Sequence, residues 1–422
     1  MSLTRRTIPI GVVSALLAVA MLAFLVPSAA AAPVAPHFGP NVQIDVPPVY
    51  RASFFGPSPS IAAGTNGVVY LAFAGWSGAT TGDDIDFTMS SDGGRSWSTP
   101  IRVNDDAGAA AQAEPSLALD PSNNIYIVWT DMRSGNNDVY FAKSVNGGLT
   151  FGANLRVNDI TTNSQSEPDL AVDPVNPHLV HVVWTDTRSP ILGPDIFYAN
   201  STNGGLSFNP SVRVNDDVTS TEQGQPAIAV APNRDVDVVW RDPRSAAKGP
   251  DIYFSKSSDL GATWSPNIYV NSDVGSAAQQ DPTIAVDLAG TIYVAWTDGR
   301  NANTAPDIYE AWSANAGASF GANVQVNDDR GLAPQLSPSL VANAGKIQIA
   351  WADYRTGGST NYDIYTASSE DGISWSPNMK VNDDTLPNNS SSPHSSIVGR
   401  SAGTCTRPPS TSWRRPRTPA RP

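Results

Sequence analysis

Six copies of one octapeptide constrain the fold of this chain more than any other feature. They are SSDGGRSW (90–97), SVNGGLTF (144–151), STNGGLSF (201–208), SSDLGATW (257–264), SANAGASF (313–320) and SSEDGISW (368–375). The glycine that all six share recurs every 54 to 57 residues. A steady period of this length indicates a repeat architecture, in which each copy is one supersecondary unit.

Each period contains four short strand-like runs separated by turn residues. In the second copy the runs are PSLAL (115–119), IYIVW (125–129), DVYFA (138–142) and one that ends at LRVND (155–159). Four strands in about 55 residues are typical of a β-propeller blade, whereas a solenoid repeat would have fewer. The sequence therefore predicts an all-β propeller of four-stranded antiparallel blades, with six full blades.

The two ends of the repeat region suggest a truncated seventh blade. FGPNVQID (38–45) matches FGANVQVN (320–327), the predicted fourth strand of a blade. SPHSSIV (392–398) matches the start of a first strand. One hypothesis is that a seventh blade was lost to a frameshift or truncation. The alternative is a six-bladed ring. In both cases we predict a propeller over 33–398 and a disordered basic tail of Pro, Arg and Ser over 399–422.

The octapeptides resemble the Asp boxes (BNR repeats) of the sialidase, or neuraminidase, superfamily. In that family the boxes mark the propeller fold and lie away from the active site. Three copies here carry Asn in place of Asp, and the sixth carries Glu370. The resemblance implies a six-bladed fold and, as one possible activity, glycoside hydrolysis of the exo-sialidase type.

The catalytic set that this resemblance implies is incomplete. Sialidases hold the substrate carboxylate with three arginines and use a Tyr–Glu pair and an Asp acid/base. At the position of the first arginine this chain has Pro57, Ser58 and Pro59, so Arg51 is the nearest replacement. Asp83 or Asp84 could serve as the acid/base. No Tyr–Glu arrangement is recognisable, so the sequence favours binding over catalysis and leaves catalysis open.

Repeated polar residues fall on one face of the predicted propeller, because strands alternate in direction within a blade. The second strands end in W-x-D-x-R in five blades. In one interpretation, each Arg pairs with a neighbouring Asp, such as Arg133 with Asp131 or Asp138, and locks adjacent blades. In the other, the Asp and Arg residues bind a ligand at a central cavity. The set is Asp131, Arg133, Asp186, Arg188, Asp242, Arg244, Asp298, Arg300, Asp353 and Arg355.

A structural Ca²⁺ is a further possibility at the start of the first strands. There Glu114, Glu167 and Asp281 could gather near the axis, and Ca²⁺ prefers clustered oxygen ligands. No other cofactor or metal is expected. The single cysteine, Cys405, excludes an intramolecular disulfide and a cysteine-based zinc site.

The N-terminus predicts export, and the charge restricts the partners. Arg5 and Arg6 precede an apolar run over 8–26 and a small-residue stretch over 28–32, which indicates a signal peptide over 1–32, with a retained anchor as the alternative. Two basic residues lie in this leader and six after residue 398. The body therefore has 18 basic residues against 39 acids, a net charge of −21. Such a surface repels nucleic acid.

We therefore expect a secreted or cell-surface monomer with no membrane span in its mature chain. It would bind a glycan or an extracellular protein through the polar face. The alternatives are an exo-sialidase and a non-catalytic scaffold.

Overall fold

The computed structural model describes residues 38–42, 44, 51–52, 59–76, 82–189, 191–245, 247–301, 305–343, 345–356 and 362–383. The described residues contain strands and turns but no helix, and hence none that could cross a membrane. The chain divides into residues 1–39, of which only 38 and 39 are described and lie outside strands, and residues 40–422. The predicted signal peptide, the segment 392–398 and the basic tail lie outside the described residues.

The second unit is a propeller of six antiparallel blades, as predicted. Its strands, blade by blade and from the inner to the outer edge, have the following bounds. Blade 1 has β1 (Arg51–Ala52), β2 (Ser60–Ala63), β3 (Val69–Trp76), β4 (Asp83–Ser90) and β5 (Ile101–Arg102); blade 2 has β6 (Gln112–Leu119), β7 (Ile125–Asp131), β8 (Asp138–Ser144) and β9 (Leu155–Arg156); blade 3 has β10 (Gln165–Val172), β11 (Val180–Asp186), β12 (Asp195–Ser201) and β13 (Val212–Arg213); blade 4 has β14 (Gly224–Val230), β15 (Val236–Asp242), β16 (Asp251–Ser257) and β17 (Ile268–Tyr269); blade 5 has β18 (Gln279–Val286), β19 (Ile292–Asp298), β20 (Asp307–Ser313) and β21 (Val324–Gln325); blade 6 has β22 (Gln335–Asn343), β23 (Lys346–Asp353), β24 (Asp363–Ser369) and β25 (Met379–Lys380).

The hydrophobic core lies between consecutive blades. The second strand of each blade is mostly apolar on both faces, because consecutive blades pack face to face. Between blades 1 and 2, for example, Tyr70 and Phe87 of the first blade form one buried cluster with Ile125, Ile127 and Trp129 of the second. The tryptophan of W-x-D-x-R is fully buried in all five blades that have it.

The octapeptide turns close each blade at the end opposite the polar face. In blade 1, Asp92 accepts hydrogen bonds from the Ser96 amide (2.9 Å) and hydroxyl (2.7 Å), and Gly94 adopts φ +90°. The sixth turn corrects the sequence alignment. Asp371, and not Glu370, accepts the amides of Ile373 and Ser374, while Glu370 is an exposed partner of Lys346.

The shared glycine of the turn is required for blade packing, which gives a first prediction. Gly261 has φ +84°, and a Cβ there would overlap the ring of Tyr198 in the preceding blade. Gly290 has a similar φ of +82° but open space around it. We expect Gly261→Ala to lower the free energy of unfolding by about 3 kcal/mol or more, and Gly290→Ala by about 1 kcal/mol, in urea titrations. Equal losses would show that backbone strain alone sets the cost.

Asn41 lies next to blade 6. Asn41 Oδ1 accepts the Asp383 amide at 3.3 Å, just as Asn154 of blade 2 accepts the Asp105 amide of blade 1 at 2.7 Å. Asn41 therefore contacts blade 6 in the same way as Asn154 of blade 2 contacts blade 1. Within the described residues, β22 does not pack against β2 in the way that joins the other consecutive inner strands. The rest of the hypothetical seventh blade lies outside these residues.

Candidate functional site

The W-x-D-x-R residues form a buried polar cluster in each of five blades. In blade 2, Asp131 is fully buried and accepts hydrogen bonds from Trp129 Nε1 (2.8 Å), the Arg133 amide (2.9 Å) and Arg133 Nη2 (2.8 Å). Asp186, Asp242, Asp298 and Asp353 receive the same three kinds of bond from Trp184 and Arg188, Trp240 and Arg244, Trp296 and Arg300, and Trp351 and Arg355.

The arginine of this cluster also reaches the preceding blade. Arg133 Nη1 donates to Asp105 of blade 1 at 2.7 Å, and its guanidinium lies 4.3 Å from the ring centroid of Tyr140. About a fifth of the Arg133 side chain is exposed. The sequence allowed Asp138 as a partner, but that carboxylate instead accepts the amide of Asn158. Both charged members of the motif are thus engaged within the propeller.

The candidate catalytic residues of blade 1 lie on β1 and β4, on either side of β3 in one sheet. Arg51 lies in β1 opposite Trp76, and its side chain is outside the described part of the structure. Asp83 and Asp84 start β4 and are almost fully buried. Asp84 accepts the side-chain amide of Asn104 at 2.8 Å and lies 3.6 Å from Arg102.

A pocket of about 380 Å³ lies where the inner strands begin, on the same face as the W-x-D-x-R clusters. Each of β6, β10, β14, β18 and β22 has a bulge there, and the third residue of Gln-x-x-Pro or its equivalent adopts a positive φ of 53–55°. These residues are Glu114, Glu167, Gln225, Asp281 and Ser337. A positive φ is unfavourable for residues other than glycine, and residues in such conformations cluster at functional sites.

Hydrogen bonds between blades orient the side chains of this pocket. Glu114 Oε2 accepts the Glu167 amide (2.8 Å), and Glu167 Oε2 accepts the Gln225 amide (2.8 Å). Gln225 in turn exchanges two bonds with Asp281, at 2.7 and 3.1 Å. A threonine of the second strand, Thr130 in blade 2, also donates to Glu114 at 2.8 Å. One carboxylate oxygen of each glutamate is used, and Oε1 has no partner among the described residues.

The pocket is acidic. Glu114, Glu167, Asp169 and Asp281 line it together with five prolines, and no lysine or arginine is among its described lining residues. Burial raises the pKa of Glu114, Asp169 and Asp281 above the ordinary carboxyl value, because the charged form loses its hydration. The predicted trio Glu114, Glu167 and Asp281 does share this pocket. Within the described chain, however, no three metal-ligating side chains are arranged to hold a metal ion.

Sequence reasoning missed several residues that shape the pocket. Asp169 was not singled out, although it lies two residues after Glu167 in the same strand and accepts the Ser116 hydroxyl at 2.7 Å. The threonines at the second position of W-x-D-x-R were also missed. They occur in the blades whose pocket residue is an acid, as with Thr185 and Glu167, and this pairing was visible in the sequence.

Several solved structures share the fold. A protein of unknown function from Dyadobacter fermentans matches with a TM-score of 0.55 and 14% identity, covering 79% of this chain and 98% of its own. The α-L-arabinanase of Penicillium chrysogenum matches at 0.53 and 16%, with coverages of 75% and 92%. A polysaccharide lyase, ulvan lyase, matches at 0.53 and 12%, with coverages of 76% and 83%.

The chain shares the β-propeller fold of these structures. Sialidases are also among the structures matched, but at TM-scores of 0.46 and 0.49. No family model and no curated protein matches the sequence. At these identities the similarities establish the fold alone.

Proposed function

We propose that this protein is an exported, sialidase-like Asp-box propeller that binds an uncharged glycan in the acidic pocket at the start of its inner strands. The observation that carries the proposal is the pocket's lining, in which four carboxylates and Gln225 alternate with prolines. Carboxylates and amides accept hydrogen bonds from sugar hydroxyls, and the proline rings offer apolar surface to the C–H faces of a sugar.

The charge of the pocket selects among glycans. A sialic acid or uronic acid carries a carboxylate, which would meet four acidic groups in the lining, whereas Arg241, which acts electrostatically on Asp281, does not line the pocket. Like charges in a partly buried pocket repel each other strongly. An uncharged sugar avoids this cost. The arabinobiose bound by the Penicillium propeller is such a glycan, and we use it as the first class to test.

The fixed geometry of the acids favours binding with little rearrangement. Glu114 and Glu167 are held through Oε2 by backbone amides of the next blade, while Oε1 of each is left for a ligand. A pre-oriented acceptor loses less conformational entropy when it binds. The W-x-D-x-R arginines, in contrast, pair with aspartates, as Arg133 does with Asp131 and Asp105, and do not line the pocket.

The test combines a glycan array with turnover assays on the purified protein. We expect retention on neutral glycans such as arabino-oligosaccharides, weaker retention on sialylated ones, and no release of fluorophore from a sialic acid ketoside or an arabinofuranoside. Turnover of the ketoside would replace the proposal with the exo-sialidase alternative. Absence of both binding and turnover in a folded protein would leave a scaffold.

Two variants place the binding. Glu114→Gln and Glu167→Gln keep the shape of each side chain and an acceptor for the neighbouring amide, but remove the charged acceptor. We expect each to weaken the glycan affinity about tenfold, since hydrogen bonds to charged groups contribute about 1.5–3 kcal/mol. Glu222→Gln is the control, because Glu222 is exposed and does not line the pocket. An equal loss in all three variants would contradict the placement.

A further inference from the structure

A second cleft, of about 390 Å³, lies between blades 4 and 5 at the end of the propeller that carries the octapeptide turns. Its walls come from the loop between β14 and β15, the loop between β18 and β19, and the turn at 314–316. Asp235 and Asp237 line it on the blade 4 side. It is separate from the pocket of the proposed function, which lies where the inner strands begin.

The cleft exists because blade 4 departs from the repeat at two positions. The residue equivalent to Asp237 is aromatic in blades 1, 2, 3 and 5, namely Tyr70, Tyr126, His181 and Tyr293. In blades 2 and 5 the tyrosine hydroxyl donates to an aspartate in the preceding turn, Asp120 at 3.0 Å and Asp287 at 3.4 Å. Blade 4 has Ala231 at the position of that aspartate. Both the ring and its acidic partner are therefore missing.

The substitution leaves a carboxylate without a hydrogen bond. Asp237 is 1% exposed, and neither of its oxygens has a hydrogen-bond partner. The neighbouring Asp235, in contrast, accepts Lys256 Nζ and the side-chain amide of Asn233, both at 3.1 Å. A buried carboxylate without a partner is costly, and native proteins rarely retain one without a ligand, ion or function. Burial and the nearby Asp235 raise the pKa of Asp237 to about 7.

The residues opposite Asp237 suit a small ligand. The facing loop contributes Leu288, Ala289 and Gly290, and Leu288 is largely exposed. The turn contributes only small side chains at Ala314, Asn315 and Ala316. Asn233 and Asn315 also line the cleft, but their side chains are hydrogen-bonded to Asp235 and to Ser319. Alanine and proline side chains supply apolar surface. The cleft has room for a molecule of monosaccharide size, which is more than a bare metal ion needs.

We propose that this cleft is a binding site for a compact primary amine, such as an amino sugar, whose ammonium group pairs with Asp237. A primary ammonium has three donors. It can donate charge-assisted hydrogen bonds to the unpartnered carboxylate of Asp237. Its charge compensates the pair of aspartates, only one of which is matched by Lys256.

The experiment is calorimetric titration of the full chain with D-glucosamine at pH 7.5, with D-glucose and CaCl₂ as separate titrants. We expect D-glucosamine to bind at a single site and D-glucose to bind at least about tenfold more weakly, because it lacks the charge-assisted bonds. Saturable binding of Ca²⁺ in place of the amine would overturn the proposal. So would equal affinity for the two sugars, or no heat with D-glucosamine.

Three variants assign the site. Asp237→Asn should weaken D-glucosamine binding about tenfold or more. The double change Ala231→Asp with Asp237→Tyr restores the pair found in blades 2 and 5, so it should fold with equal or higher thermal stability and abolish binding. Glu310→Gln is the matched control, because Glu310 is also a buried acid with two unpartnered oxygens but does not line the cleft. Unchanged binding in the double variant would exclude this cleft.

Discussion

Replacing Asp242 by alanine is expected to lower the free energy of unfolding by about 3–5 kcal/mol, the usual cost of removing one partner from a buried ion pair. Asp242 is fully buried and accepts hydrogen bonds from Trp240 Nε1 (2.9 Å) and from Arg244 Nη2 (2.6 Å). Its loss would leave the indole N–H unsatisfied inside the core and remove the internal counter-charge of the arginine.

A matched control is available on the same arginine. Arg244 Nη1 also donates to Asp216 of the preceding outer strand at 2.6 Å, but the Asp216 side chain is 52% exposed. Asp216→Ala should cost about 1 kcal/mol or less, because solvent screens exposed pairs. Urea titrations followed by tryptophan fluorescence measure both losses. If both are small, the W-x-D-x-R clusters do not stabilise the propeller, and the ligand-binding interpretation of these residues gains weight.

Replacing Glu310 by glutamine is expected to stabilise the protein at neutral and alkaline pH, by roughly 5 kcal/mol at pH 8.5. Glu310 is fully buried in β20, and both its oxygens lack partners. It occupies the position held by Phe87, Phe141 and Phe254 in other blades. Burial raises its pKa to about 8, whereas the unfolded chain has the ordinary value near 4.5. The folded state must therefore either bind a proton or bury a charge.

The sign of the pH dependence follows from this raised pKa. Below pH 4.5 the group is protonated in both states, and the variant should match the wild type. Between pH 4.5 and 8 the folded state alone holds the proton, so the wild type loses up to about 1.4 kcal/mol of stability per pH unit relative to the variant. The control is Glu370→Gln at an exposed glutamate, which should change little at any pH. Parallel curves for Glu310→Gln and wild type would refute the prediction.

The repeat predicted the fold because every copy carries the same pattern of turns and apolar runs. Alternating turns and short apolar runs specify strands, and a run such as IYIVW (125–129), apolar on both faces, requires a neighbour on each side. The bounds of the second and third strands therefore follow from the sequence. The exception was the sixth turn, where Ser369 and Gly372 are one residue closer than their counterparts, which moved the acidic acceptor from Glu370 to Asp371.

The candidate site was predictable only in part. The Gln-x-Glu-Pro motif marked Glu114 and Glu167, but not that a bulge turns them to a positive φ. Such a conformation is set by the meeting of neighbouring blades, since each glutamate binds the backbone amide of the next blade. Contacts between two blades depend on residues more than 50 positions apart, so they cannot be recognised from the sequence pattern of one blade.

Departures from the repeat were the signal that sequence reasoning used least. Asp237 and Glu310 both replace aromatic residues of other blades, and in the structure both are buried acids without partners. In an isolated strand each looks like an ordinary polar residue facing solvent. Only the knowledge that both faces of a blade are covered makes them unusual.

The contact between Asn41 and Asp383 has a consequence for how the molecule is assembled. The two residues are 342 positions apart, whereas each blade is built from pairings within about 50 residues. During synthesis, blades can form one after another as they leave the ribosome, and this contact can form only after the sixth blade exists. By a simple loop-closure estimate, joining such distant segments costs about 2 kcal/mol more entropy than joining segments 50 residues apart. The contact of Asn41 with blade 6 is therefore expected to form late in folding.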